Sequence, residues 1–293
     1  MHLRSPHLAM MSRLFSISIL REIAENGRSP RFTALLEQSG LRNRLSKDTA
    51  TIGSVFEEAF RIIKKNKFRN EYTYRYTLIK HYLSLRRRVR ILAEFRAGFC
   101  KADLVIVNDS FTAFEIKTER DSLQRLKWQI ENYQKIFPIV YVLAAQRHEK
   151  AILNTLTNDI GIMVINAKNG IEYIRKATER IDLMQPLILS DSLRKNEALA
   201  LLENLKGPVP NIPNTQLRTF IRNEFSAMDP IDIYKQTVNI LKKRKHHVSL
   251  ADATRQVPKS LLPAVVSMKM HHKDYTRFIE TITLPLEIAK SWT

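Results

Sequence analysis

In the stretch KADLVIVNDSFTAFEIKTE (101–119), the charged side chains Asp103, Glu115 and Lys117 sit among residues as apolar as a protein interior. Unpaired charge is costly in such surroundings, so each needs a partner or a task. Successive residues of a strand point to opposite faces. Glu115 and Lys117 therefore share one face, and Phe114, Ile116 and Thr118 take the other. Asp103 joins Glu115 only if the two stand opposite each other in the hairpin, which requires an odd-length turn such as Asn108-Asp109-Ser110. Two carboxylates suit Mg2+, which prefers hard oxygen ligands and keeps several waters. A lysine beside them can position or activate a water and neutralise charge on a phosphate. Phosphodiester hydrolysis needs that combination. A structural ion cluster on an amphipathic sheet is the plainer alternative.

The elements around the hairpin follow from local pattern. Residues 12–66 read as helical, with Ser29-Pro30 starting one helix and Gly40 stopping it, a unit that resembles either a helical hairpin or a helix-turn-helix. The segment 70–85 (NEYTYRYTLIKHYLSL) reads as a helix capped by Asn70. VRILAEFRAGF reads as a strand and leads into the hairpin. Asp121 is expected to cap the next helix, SLQRLKWQIENYQKIF, which Pro138 closes. IVYVLAA has the unbroken apolar run of a central strand. A helix around EKAILNTLTND and strands in GIMVINAKNG and IEYIRKA complete a mixed sheet with helices on its faces. After the turn-rich GPVPNIP the pattern is helical. The expected organisation is a helical region over 1–66, a core over 67–183 and a helical region over 184–293.

Asp103, eleven residues and then Glu115-Ile116-Lys117 resembles the D…ExK signature of the PD-(D/E)XK (restriction-endonuclease-like) nuclease superfamily, whose core has a similar order of elements. Gln129 and Tyr133, four apart and so on one helix face, resemble the Gln-x-x-x-Tyr motif of its RecB-like and λ-exonuclease-like branches. NEYTYRY, EFRAGFCKADLVIV and FEIKTERDSLQRL are together similar to a bacterial group of such proteins often carried by mobile elements, over residues 70–175. Ala102 stands where that superfamily often has proline. The resemblance implies an α/β (α+β) fold with an αβββαβ core, a mixed central sheet and helical additions at both ends. It also implies a nuclease using Mg2+ (or Mn2+), with Asp103, Glu115, the backbone carbonyl of Ile116 and an acid from the preceding helix as ligands. Glu71 is the expected acid, with Glu57, Glu58 and Glu94 as substitutes. An i,i+4 ion pair with Arg75 is the other reading of Glu71. Lys117 is the expected catalytic lysine. Gln129 and Tyr133 are expected on the substrate strand, and Lys101, Arg125, Arg86, Arg87 and Arg88 on phosphates.

Charge points the same way. The chain carries 48 Lys and Arg against 29 Asp and Glu, a net +19 that suits a polyanionic partner. Residues 61–101 hold thirteen of these cations against Glu71 and Glu94, a net +11 directly upstream of the hairpin. DNA is the expected partner ahead of RNA, with a second copy or another protein as a further one. Cys100 is the only cysteine, which excludes an internal disulfide and a Cys-based zinc site. The N-terminal apolar run is too short for a signal peptide, and no segment reaches the roughly 18 apolar residues of a membrane span. A cytoplasmic protein without membrane contact is expected. Nucleic-acid binding without catalysis, or a protein-interaction scaffold, are the alternatives to a nuclease.

Overall fold

Ser29 takes extended backbone and its hydroxyl accepts the Phe32 N–H, so the helix that follows begins with Pro30 in its first turn. Asn70 caps likewise, its Oδ1 accepting the Thr73 N–H at 3.0 Å. Such signals set out, in chain order, α1 (Ser5–Arg13), α2 (Ile17–Asn26), α3 (Pro30–Gln38), α4 (Ile52–Lys65) and α5 (Glu71–Ser84). The strands β1 (Arg90–Ala97), β2 (Cys100–Val107) and β3 (Phe111–Lys117) come next, then α6 (Leu126–Gln134), β4 (Ile139–Ala144), α7 (Glu149–Thr155), β5 (Gly161–Ile165) and β6 (Ile171–Arg175). The rest is helical: α8 (Pro186–Ser192), α9 (Lys195–Lys206), α10 (Asn214–Ser226), α11 (Pro230–Lys243), α12 (Leu250–Gln256), α13 (Leu262–Ser267) and α14 (His272–Thr283). The structure is a computed structural model that describes residues 5–45, 49–85, 89–244, 250–268 and 270–292.

The chain divides into Met1–Ile79 with Lys245–Thr293 as one unit and Lys80–Arg244 as the other. These divisions differ from the expected ones at 66/67 and 183/184. The helices after the sheet part company because Leu189, Leu201, Leu217, Phe225 and Leu241 of α8–α11 join the core of the sheet. In the first unit the last helix returns to the first ones. Leu284 and Ala50 carbonyls accept from Ile52 and Leu286, and the Trp292 ring meets Phe32 at 5.7 Å. Gly53 allows that closeness, since a Cβ there would lie 3.0 Å from the Ile282 carbonyl.

In the second unit the described strands form one mixed sheet in the order β1-β2-β3-β4-β5-β6. The β1–β2, β2–β3 and β5–β6 pairs are antiparallel, and β3–β4 and β4–β5 are parallel. This is the expected α+β architecture. One sheet face packs Val105, Phe111, Ala113 and Val142 against Ile130, Tyr133 and Phe137 and against α8–α11. The other face is also buried, through Leu104, Ile106, Phe114, Ile116 and Leu143. There Tyr82 of α5 meets Phe114 edge-on at 5.4 Å.

The β2–β3 hairpin has the odd turn its chemistry requires. Val107 pairs with Phe111 and Leu104 with Phe114, leaving Asn108, Asp109 and Ser110 between. One further step sets Asp103 across from Glu115. On the other side, β1 pairs Ala93 with Leu104 and Phe95 with Ala102, which leaves Glu94 across from Asp103. The core-facing positions run 92, 95, 97 in β1 and 102, 105, 107 in β2, so the alternation slips by one residue in both strands at that rung. Glu94 absorbs the slip with φ 51°, a left-handed conformation that side chains other than glycine rarely adopt.

Candidate active site

Glu115 and Lys117 project from β3 on the face that α6 covers, and both are buried, 3% and 8% exposed. Neither charge is unpaired. Lys117 Nζ donates to Glu115 Oε1 at 2.7 Å and to Gln129 Oε1 at 2.9 Å. Gln129 Nε2 donates in turn to the same Glu115 oxygen at 2.7 Å, closing a triangle. The amide orientation follows from the network, because only its oxygen can accept from an ammonium. Tyr133, one helical turn on, puts its hydroxyl 2.5 Å from Glu115 Oε2 and 2.6 Å from the Lys101 carbonyl. One phenolic proton serves two acceptors. Burial first, then the Glu115 charge, pushes the phenol far above its ordinary range, so Tyr133 acts as a donor and not as a base.

Asp103 is half-buried and holds the strand ends together, its Oδ2 accepting the Ile116 N–H at 2.7 Å. The ladder pairs stop at Leu104–Phe114, and the aspartate side chain continues the bonding one residue further. Beyond β3 the chain is fastened by Asp121, whose Oδ2 accepts from the Thr118 N–H and hydroxyl, both at 2.7 Å. Asp121 therefore closes a turn and does not cap α6, which begins five residues later at Leu126. Thr118 offers Asp121 both a backbone and a side-chain donor in reach, and this local Asx-type bonding wins over capping.

Four expected site residues thus meet in one network: Glu115, Lys117, Gln129 and Tyr133, with Asp103 opposite Glu115 on the neighbouring strand. Gln129 and Tyr133 were expected on the substrate strand, but both side chains are engaged with Glu115, and Tyr133 is fully buried. Lys101 contributes its carbonyl to Tyr133 while its side chain is exposed, and Arg125 is exposed as well. Ile116 is buried, its N–H taken by Asp103. Glu71 lies in the first unit, where its Oε1 takes Arg75 Nη2 at 2.7 Å, the ion pair that its spacing allows. Arg86, Arg87 and Arg88 lie outside the described residues. The basic segment 61–101 divides between the units, and Arg61 and buried Arg75 within it are committed to Glu58 and Glu71.

Phe99 escaped the sequence reading. It is 90% exposed at the tip of the β1–β2 turn, beside Gly98 at φ 60°. The available signal was that glycine, which interrupts a strand pattern and invites a turn. Trp128 on α6, next to Gln129, is also exposed. Both aromatics have cationic neighbours in sequence, Arg96 and Lys101 around Phe99, and Arg125 and Lys127 around Trp128.

Among the described residues, no group of three or more His, Cys, Asp or Glu side chains is placed to hold a metal ion. The pair Asp103 and Glu115 remains. Glu115 accepts three bonds of the roughly four its carboxylate can take. Two carboxylates on adjacent strands, with no sulfur or imidazole donor, fit a hard ion that retains most of its waters, the habit of Mg2+.

The family described as Bacteriophage P4 protein cII matches residues 64–262 of this chain, which include the whole sheet and α6. Protein cII of Enterobacteria phage P4 is 33% identical over 70 residues, 24% of this chain and 26% of that protein. The match thus spans about a quarter of the length of that curated relative. No solved structure matches the chain.

Proposed function

The chain belongs to the bacteriophage P4 protein cII family, and from that premise and the network around Glu115 we propose that it is a metal-dependent nuclease that hydrolyses phosphodiester bonds, those of DNA ahead of RNA. The phage relative supports a mobile-element setting, and we place the protein in the cytoplasm, where such DNA resides. One observation carries the reading: a buried carboxylate on a strand, held by a lysine two residues on and by glutamine and tyrosine four apart on the covering helix. Asp103, opposite Glu115 on the neighbouring strand, supplies the second carboxylate of the pair.

Asp103 and Glu115 would hold Mg2+ or Mn2+, with the Ile116 carbonyl as a further oxygen donor; a metal bound there would lower the pKa of a water and offset phosphate charge. Lys117 has three donors, and two are engaged with Glu115 and Gln129. The third is left for an attacking water or a phosphate oxygen. Gln129 and Tyr133 fix the Glu115 rotamer, so the lysine and carboxylate need no reorganisation when substrate arrives. Lys101 and Arg125 contact phosphates, and Phe99 offers an exposed ring on which a base stacks.

The test is cleavage of plasmid and oligonucleotide substrates with Mg2+, Mn2+ or EDTA, using wild type and Asp103→Asn. Cleavage with either metal, none in EDTA, and at least about a hundredfold loss in the variant are expected. A purified wild type that binds DNA but never cuts would transfer the site to binding without catalysis, and cutting at the wild-type rate by Asp103→Asn would sink the mechanism.

A further inference from the structure

Beside the sheet edge at β1, helices α8, α9 and α10 enclose a cavity of about 280 Å3. Its mouth carries Arg96, Lys195, Arg218 and Arg222, with Asp191 as the single carboxylate, a net charge of +3. Asp191 is shared between Arg218, at 3.3 Å, and Arg222. The other two cations have neutral partners. Arg96 Nε reaches the Gly98 carbonyl at 3.5 Å, and Lys195 Nζ the Asn214 side-chain oxygen at 2.6 Å. Among the described residues neither has a carboxylate within ion-pair distance. The floor is apolar, built from Leu193, Ala198, Leu217 and Ile221, all buried.

A solvated basic surface needs no such floor, and an apolar packing fault needs no such rim. Together they suit a ligand with an anionic end and a flat, weakly polar body. The volume lies at the small end of ligand cavities, which run from about 300 Å3 upward. Inorganic phosphate alone would leave the floor without a partner. We propose that this cavity binds a nucleoside phosphate, with the phosphate on Arg96, Lys195 and the Arg218–Arg222 pair and the base against the leucine and isoleucine floor. The ligand is either a free nucleotide or the phosphorylated end of a strand. The proposal stands apart from cleavage, because none of these residues belongs to the Glu115 network.

Calorimetric titration of the full chain in EDTA tests it, with adenosine monophosphate, adenosine, inorganic phosphate, and oligonucleotides with and without a 5′-phosphate. Adenosine monophosphate or the phosphorylated oligonucleotide should bind at least about tenfold tighter than adenosine and phosphate, and than the unphosphorylated strand, respectively. Whichever of the two binds tighter identifies the source. Arg96→Glu and Lys195→Glu, both at exposed positions, should each weaken binding about tenfold or more. Phosphate binding as tightly as the nucleotide overturns the proposal, as does the absence of binding by both phosphorylated ligands. Binding that survives both charge reversals places the ligand elsewhere and overturns it too.

Discussion

Three donors converge on the Glu115 carboxylate, and their number sets what the removal of each costs. Lys117→Met leaves a buried carboxylate without its counter-charge, a class of change that costs about 3–5 kcal/mol. Gln129 and Tyr133 remain as donors, so the loss should fall near the lower end, about 3 kcal/mol. Glu115→Gln with Lys117→Met removes both charges and should recover much of that loss. Urea denaturation of the two single variants and the double closes the cycle, and simple additivity would contradict the pairing. Phe99 is the opposite case, a ring with almost no contacts in the fold. Phe99→Ala should leave the melting temperature unchanged yet weaken single-stranded DNA binding by about 1–3 kcal/mol in fluorescence anisotropy. Unchanged affinity would remove Phe99 from the interface.

At the scale of elements, the parallel pairing of β4 with β5 depends on a glycine. Gly161 stands opposite Tyr141, and a Cβ there would run into the tyrosine ring. The ring has nowhere to go: it stacks on Phe114 at 5.7 Å, meets Tyr173 edge-on at 6.0 Å, and its hydroxyl accepts the Ala177 N–H at 3.2 Å. Gly161→Ala should therefore cost about 1–3 kcal/mol by urea denaturation, and wild-type stability would show that the ring moves freely. Much at this scale was legible in the sequence, because the rules involved are local. Strand alternation placed Glu115 beside Lys117, helical spacing placed Gln129 beside Tyr133, and the odd turn at Asn108-Asp109-Ser110 set Asp103 opposite Glu115. What stayed hidden depends on partners distant in sequence. The slip at Glu94 takes two strands to reveal, and the exposure of Phe99 depends on where β1 ends. Asp121 was open to two local uses, a cap or a turn, and the Thr118 donors decide between them.

For the whole molecule, the division of the C-terminal helices was the least legible feature, since each is amphipathic and nothing local says which core it joins. The division makes one unit continuous and the other discontinuous. Every member of the sheet's core cluster lies between Leu92 and Leu241, within Lys80–Arg244. The first unit needs both chain ends. Phe32 has Trp292 as a ring partner, the Thr33 hydroxyl donates to the Ala289 carbonyl at 2.9 Å, and the Arg277 side chain lies against Gly27. A chain truncated after Arg244 loses all of these, and with them the cover that Trp292 gives Phe32 and that Pro258 and Ile282 give the start of α4 at Gly53. Burial of each such side chain contributes about 1.5–3 kcal/mol, so a few losses exceed the few kcal/mol by which a unit of this size is stable. The truncated chain should therefore unfold within residues 1–79 while the sheet, the Glu115 network and the basic cavity persist. Limited proteolysis should cut freely before residue 80 and leave a resistant fragment covering 80–244, and hydrogen exchange should show protected β2–β5 amides. Protection of α2–α4 in the truncated chain, or loss of the resistant fragment, would mean that the two units do not fold as separate cores.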